Sequence, residues 1–154
     1  MQNTQPNYGL IPLLNFAQVD DKIFRSAQPI HEYQYDFVSD VLGVGLLINL
    51  RSEAHIDDKL APSEGMAVIN IDIPDHKAPT VEDVKKFVKA YKHFEGTKML
   101  IHCAHGRGRT TTFCVIARML QGWSLDQAIA EQTDRFLYTF KHPVQLEFLK
   151  NLTL

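Results

Sequence analysis

The sequence predicts an α/β fold: a central, mostly parallel sheet of four to five strands flanked by helices on both faces. Three observations lead there. Residues 46–50, 68–73 and 98–102 are short apolar runs of the kind found in strands buried on both faces. Segments with a helical apolar period alternate with them, and right-handed crossovers then place helices on either side. Chemically loaded residues follow the strands, at Arg51-Ser52-Glu53, at Asp75-His76-Lys77 and at Cys103. Ligands of such sheets bind at the C-terminal ends of the strands.

Residues 1 to about 20 are polar and contain Pro6 and Pro12, which suggests an N-terminal arm or loop. Residues 22–25 form a candidate short strand, punctuated by Ser26-Ala27-Gln28-Pro29. A helix is expected over 31–42, with Tyr35, Val38 and Leu42 on one face, closed by Gly43 and Gly45. The strand at 46–50 follows, and that at 68–73 empties into a loop from Pro74 to Pro79. Thr80 with Asp83 makes an N-terminal capping pair, and Val84, Phe87, Val88, Tyr91 and Phe94 keep the helical period up to Gly96. After the strand at 98–102, residues 109–120 read as a helix with Phe113, Ile116 and Leu120 on a face, ended by Gly122. Ser124 and Gln127 cap another helix, and residues 143–152 form the last. The aromatics Trp123, Phe136, Tyr138 and Phe140 read as core and helix-end packing.

A length of 154 residues suits one core, taken here as a single domain over 21–154 behind the arm at 1–20. The net charge of −2 gives no general attraction to nucleic acid or to an anionic membrane. No apolar run is long enough to cross a bilayer, and no signal peptide is visible, so the default expectation is a cytoplasmic monomer. The charge is uneven. From Gly96 to Leu125 there is no Asp or Glu, while Lys98, Arg107, Arg109 and Arg118 are present, which suits a small anionic ligand. Cys103 and Cys114 cannot make a disulfide framework or a four-ligand zinc site, and neither a metal nor another cofactor is implied.

The segment His102-Cys103-Ala104-His105-Gly106-Arg107-Gly108-Arg109-Thr110 carries the strongest chemical signal. A phosphate monoester needs several hydrogen-bond donors and positive charge, and a helix N-terminus supplies both. Gly106 and Gly108 let the backbone curl close to the anion. Arg109, at the helix start, offers a planar guanidinium to two phosphate oxygens. Cys103 stands at the other end of the loop, and thiols in such surroundings ionise readily and form covalent phosphocysteine. Cys114 reads as a small core residue.

With these residues in view, the chain resembles the protein tyrosine phosphatase superfamily, whose signature is His-Cys, five residues, then Arg and Ser or Thr. Within it the pattern is similar to the tyrosine-phosphatase-like phytases, which act on inositol polyphosphates. The likeness rests on residues 108–113, on Asp75-His76-Lys77-Ala78-Pro79-Thr80, and on Asn49-Leu50-Arg51-Ser52-Glu53-Ala54-His55. The resemblance implies a compact dual-specificity-phosphatase-like domain. It makes Cys103 the nucleophile, Arg109 the phosphate clamp, Asp75 the acid that protonates the leaving oxygen and later activates water, and Thr110 a hydroxyl beside the sulfur. His76 would touch the substrate, His102 would shape the loop from behind, and no metal is needed. The substrate would be a small phosphorylated molecule, an inositol polyphosphate first. A phosphoprotein or an inositol pyrophosphate are the alternatives.

The remaining residues divide as follows. The amides of Ala104, Gly106 and Gly108 and the side chains of His105 and Arg107 are expected around the substrate, the last two at the mouth. Lys77 stands evenly between a substrate contact and a solvated loop residue, and Arg51 with Glu53 reads as a supporting pair. Asp72 competes with Asp75 as the acid, but strand alternation turns it elsewhere. Arg25, Lys141 and His142 could reach remote phosphates, though solvated surface is the simpler reading. A phosphate-binding module without turnover, a sulfur transferase and an arsenate reductase make less use of Asp75.

Overall fold

Alternation along the strands sorts side chains into two cores. In the strand Lys98–Cys103, Met99, Ile101 and Cys103 join one apolar cluster, while Leu100 joins the other. In Val44–Arg51, Leu46, Ile48 and Leu50 join the first and Leu47 the second, as does Val44, which a register shift separates from Leu46. A computed structural model describes residues 8–53, 58–138, 140 and 142–154 of the chain. Ala54, His55 and Lys141, named above, lie outside the described residues, as does the stretch before Tyr8.

The strands are β1 (Ala17–Gln18), β2 (Ile23–Ala27), β3 (Val44–Arg51), β4 (Ala67–Ile73) and β5 (Lys98–Cys103), arranged in the order β1-β2-β5-β3-β4. All neighbours are parallel except β1 against β2, so the mostly parallel five-stranded sheet matches expectation. β2 runs past the predicted 22–25 because its ladder with β5 continues, pairing Ser26 with His102 and Ala27 with Cys103. Residues 8–20, read as arm or loop, contribute β1 and bury Leu13, Ala17 and Val19.

The predicted helix at 31–42 is a short α1 (Glu32–Asp36) that widens into a π-helical turn at Phe37–Val41; its Tyr35, Phe37 and Val38 cover the face of the sheet occupied by the second cluster. The opposite face is covered by α2 (Val81–His93), α3 (Gly108–Leu120), α4 (Leu125–Ala130) and α5 (Pro143–Asn151). Both predicted capping boxes are present, Thr80 with Asp83 and Ser124 with Gln127, each cap stabilising its helix by about 1 kcal/mol. α3 is buried almost all round, Arg109 to Arg118, so its single predicted apolar face understates its contacts. Phe113 meets Phe87 of α2 edge to face at 5.2 Å. No described helix is long and apolar enough to cross a membrane.

Candidate active site

The ends of β2, β3, β4 and β5 deliver the polar residues to one rim of the sheet. β5 points Cys103 toward the α3 side and, by alternation, His102 to the opposite side. His102 therefore stands behind the loop. Its Nε2 lies 2.9 Å from Asp58 Oδ2, and both side chains are buried. Asp58 also accepts from Tyr35 Oη at 2.8 Å, Gln28 Nε2 at 3.0 Å and Asn49 Nδ2 at 2.9 Å. Burial opposes the Asp58 charge, but His102 and these hydrogen bonds outweigh it and hold the carboxyl below its usual range. Nothing in the local sequence marks Asp58, since only the fold turns a loop acid inward among buried polar side chains.

The loop 104–107 is shaped by what holds its carbonyls. Gln28 N donates to Ala104 O at 3.2 Å, Asn15 Nδ2 to His105 O at 2.6 Å, and Arg25 Nη2 to Gly106 O at 2.7 Å. In a trans peptide the N–H points opposite to the C=O. Drawing these carbonyls outward turns the amides of His105, Gly106 and Arg107 inward, the arrangement that cradles an oxyanion. Gly106 sits at φ +70°, and a Cβ there would meet Ser26 C at 2.5 Å, so only glycine fits. Arg25 is a correction to the sequence reading. It is neither solvated surface nor a remote phosphate contact but fully buried, bonded to Gln132 Oε1, Gly106 O and Thr111 Oγ1 and lying 3.7 Å from the Tyr138 ring centroid. Tyr138, read as packing, also donates to Asn15 O at 2.5 Å.

Inside the cradle, Cys103 is 3% exposed and its Sγ accepts from Thr110 Oγ1 at 3.0 Å. Arg109 donates to Glu53 through both terminal nitrogens, at 2.7 and 2.9 Å, and to Ile73 O at 2.9 Å. Glu53 takes the Nη1–Nη2 end of the guanidinium fork. Asp75 Oδ1 lies 3.2 Å from Nη2. The Arg109 hydrogen bonds hold Glu53 at about 2, well below the usual carboxylate range. Burial works against the Arg109 charge, but the Glu53 pair, with Cys103 and Asp75 close by, keeps its pKa raised. Glu53 thus does more than pair with Arg51, which it meets at 3.6 Å: it fixes the orientation of Arg109. The run from Gly96 to Leu125 itself holds no acid to pair the loop arginines. Arg109 has Glu53 and Asp75, brought from β3 and β4.

The cleft is lined by Asp75, His76, Cys103, His105, Arg107, Gly108, Arg109, His142 and Gln145, with a volume of about 90 Å³. His105 and Arg107 are among the lining residues. His142 lies there too, its ring stacked on His76 at 4.1 Å, so the solvated-surface reading of His142 is corrected. Lys77 and Asp72 are exposed and outside the lining; the Lys77 carbonyl accepts from Gln145 Nε2 at 3.2 Å. The sequence reading does not single out Gln145; it is 1% exposed, and among the described residues its Oε1 has no hydrogen-bond partner. The linear stretch without acids overstated the positive charge. Arg118 is bound at 2.7 Å by Glu131 and at 3.1 Å by Asp20, and Lys98 lies at the far end of β5. Cys114 is fully buried, and burial pushes its thiol up to about 11; both cysteines are free.

A family model described as the tyrosine phosphatase family matches residues 10–154. The chain belongs to that family. It is 32% identical over 132 residues to inositol diphosphatase DSP4 of Arabidopsis thaliana, covering 82% of this chain and 65% of that protein. Over 155 residues it is 28% identical to the putative tyrosine-protein phosphatase OCA1 of Debaryomyces hansenii, covering 94% of this chain and 78% of that protein. Among solved structures, Tk-PTP in its active form superposes with a TM-score of 0.79 at 27% identity, covering 90% of this chain and 95% of that one. The core catalytic domain of the PP-IP phosphatase SIW14 from Saccharomyces cerevisiae shares the fold, with a TM-score of 0.79 at 22% identity over 94% of this chain and 89% of that one. The matched stretch thus spans just under two thirds of the Arabidopsis relative.

Proposed function

We propose that this tyrosine-phosphatase-family chain is a cysteine-dependent phosphatase acting on myo-inositol polyphosphates, with a diphosphate-bearing inositol the first to test. The observation that carries the chemistry is the cradle itself. Cys103 lies at the foot of a loop whose carbonyls are drawn outward, facing Arg109 and Asp75 in one cleft. The Cys103 thiolate attacks phosphorus, an S–P bond forms, and the P–O bond to the leaving group breaks. Arg109 and the inward amides hold the equatorial oxygens, and the Asp75 carboxyl gives its proton to the leaving oxygen. Water then attacks the phosphocysteine and returns a proton to Asp75. The sulfur departs as thiolate, steadied by Thr110 Oγ1 at 3.0 Å, and inorganic phosphate leaves. The roles need no metal.

Cleft size and mouth chemistry support the substrate class. About 90 Å³ suits a phosphoryl group and is far below an ordinary small-molecule pocket of roughly 300–1,000 Å³. The rest of a substrate must therefore lie across the mouth, where His76, His105, Arg107 and His142 stand. A ring bearing further phosphates suits those donors, and the name of the Arabidopsis relative agrees. The OCA1 relatives favour a phosphotyrosine substrate as the second reading. A phosphate-release panel decides: a diphosphoinositol polyphosphate, inositol hexakisphosphate and a phosphotyrosine peptide. Turnover of the peptide with neither inositol compound hydrolysed would overturn the substrate assignment.

A further inference from the structure

We infer that the first turn of α5 is a clasp, in which His142 and Gln145 are positioning residues that hold the acid loop 74–79 over Cys103. The inference rests on Asp75 being the proton donor. Asp75 is ill fixed by its own loop. Its side chain is 50% exposed, and its partners there belong to the next residue: His76 N donates to Oδ1 at 3.1 Å, and His76 Nε2 lies 3.3 Å from Oδ2. His76 itself sits at φ +67°, a backbone region uncommon for a residue with a side chain.

α5 meets this loop at two points. The His142 ring stacks on His76 with centroids 4.1 Å apart and planes at 27°. Gln145 Nε2 donates to Lys77 O at 3.2 Å, one residue further along the same loop. Gln145 in turn lies against the nucleophile loop: a Cβ at Gly108 would meet its Oε1 at 2.5 Å, so glycine at 108 is what admits the carboxamide. The contacts close a ring. Arg109 touches Asp75, Asp75 touches His76, His76 stacks on His142, and Gln145, on the same turn of α5, packs on Gly108 beside Arg109. Pro143 at the first helical position and the burial of Gln145 fix the side chains that make the clasp. Neither residue needs to reach the reacting atoms. Each acts by keeping Asp75 within reach of the leaving oxygen, where a displacement of about 1 Å costs roughly 100-fold in rate.

The readout is leaving-group dependence. Protonation matters little when the leaving group is p-nitrophenolate and much when it is phenolate. The ratio of kcat/KM for p-nitrophenyl phosphate to that for phenyl phosphate is measured for wild type, Asp75→Asn, His142→Ala, His142→Phe and Gln145→Ala. A partly unfolded preparation lowers both rates alike, so the ratio does not depend on the folded fraction. We expect Asp75→Asn, His142→Ala and Gln145→Ala each to raise the ratio, by about 10-fold or more, and His142→Phe, which keeps a ring to stack, to bring it back toward wild type. Wild-type ratios in His142→Ala and Gln145→Ala overturn the clasp alone, as does a His142→Phe enzyme no better than His142→Ala. A wild-type ratio in Asp75→Asn removes the proton-donor role and the clasp with it.

Discussion

Replacing Arg25 with methionine tests the inside of the phosphate cradle. The side chain is fully buried and bonds Gln132 Oε1, Gly106 O at 2.7 Å and Thr111 Oγ1 at 2.9 Å. Among the described residues no carboxylate lies within ion-pair distance of it, so the guanidinium is held by neutral oxygens and the Tyr138 ring. Hydrogen bonds to a charged group contribute about 1.5–3 kcal/mol each. Methionine fills much of the volume but leaves the Gly106 carbonyl and the Gln132 oxygen buried without these donors. Relief of the buried charge offsets part of the loss, and the net expectation is about 3–5 kcal/mol of stability. Urea unfolding followed through the lone tryptophan, Trp123, reads this as a midpoint lower by roughly 2 M at unchanged slope. Freed from Arg25, the Gly106 carbonyl no longer fixes the inward turn of the next amide, so competitive inhibition by inorganic phosphate weakens as well. A loss under about 1 kcal/mol with unaltered phosphate inhibition refutes the reasoning.

Other consequences are open to direct measurement. Gly106→Ala forces a Cβ to within 2.5 Å of Ser26 C at a φ of +70°; turnover should fall at least about 100-fold as the cradle shifts, and a near-wild-type kcat/KM contradicts the close approach. Glu53 is held at about 2 from an ordinary 4.5, first by its Arg109 hydrogen bonds. Because the folded value is depressed, its contribution is whole above pH 4.5 and is lost as pH falls through about 2. The stability difference between wild type and Glu53→Gln, at most about 1 kcal/mol for a side chain this exposed, should therefore hold steady above pH 5 and shrink below it; a difference that grows on acidification is the contrary result. Iodoacetamide should label Cys103 in the native protein and reach Cys114 only after denaturation, since burial pushes Cys114 up to about 11; peptide mass spectrometry finding native label at Cys114 contradicts this.

How much was legible in the sequence follows from which contacts are local. The strand, loop and helix around Cys103 are contiguous, so the glycines, Arg109 and Thr110 could be placed from spacing alone. The strand ending at Ile73 places Asp75 at the rim of the sheet, while its reading as the acid came from the family resemblance. Contacts across the sheet were out of reach. Glu53 and Asp58 are acids of one polar stretch, and only the packing of β3 beside β5 sends the first to Arg109 and the second to His102. Arg25 looks like any strand-end arginine until alternation turns it under the loop. Gln145 and His142 lie about forty residues from the cysteine loop, and no pattern in a helix start announces that its side chains will meet another loop. The acid-free run from Gly96 to Leu125 suggested more free positive charge than exists, because Arg118 finds Glu131 and Asp20 from beyond it.

The central claim is covalent chemistry at Cys103. The direct test is acid quench within the first turnover of a labelled phosphate ester, followed by mapping of the bound phosphate. The account predicts label on the Cys103 peptide, approaching one phosphate per chain in Asp75→Asn with a good leaving group, where the acid is dispensable for the first step and its conjugate base is missing from the second. Cys103→Ser should carry no label and release no phosphate. Phosphate release by Cys103→Ser at the wild-type rate, or wild-type turnover with no covalent phosphate trapped at any time, would contradict the account.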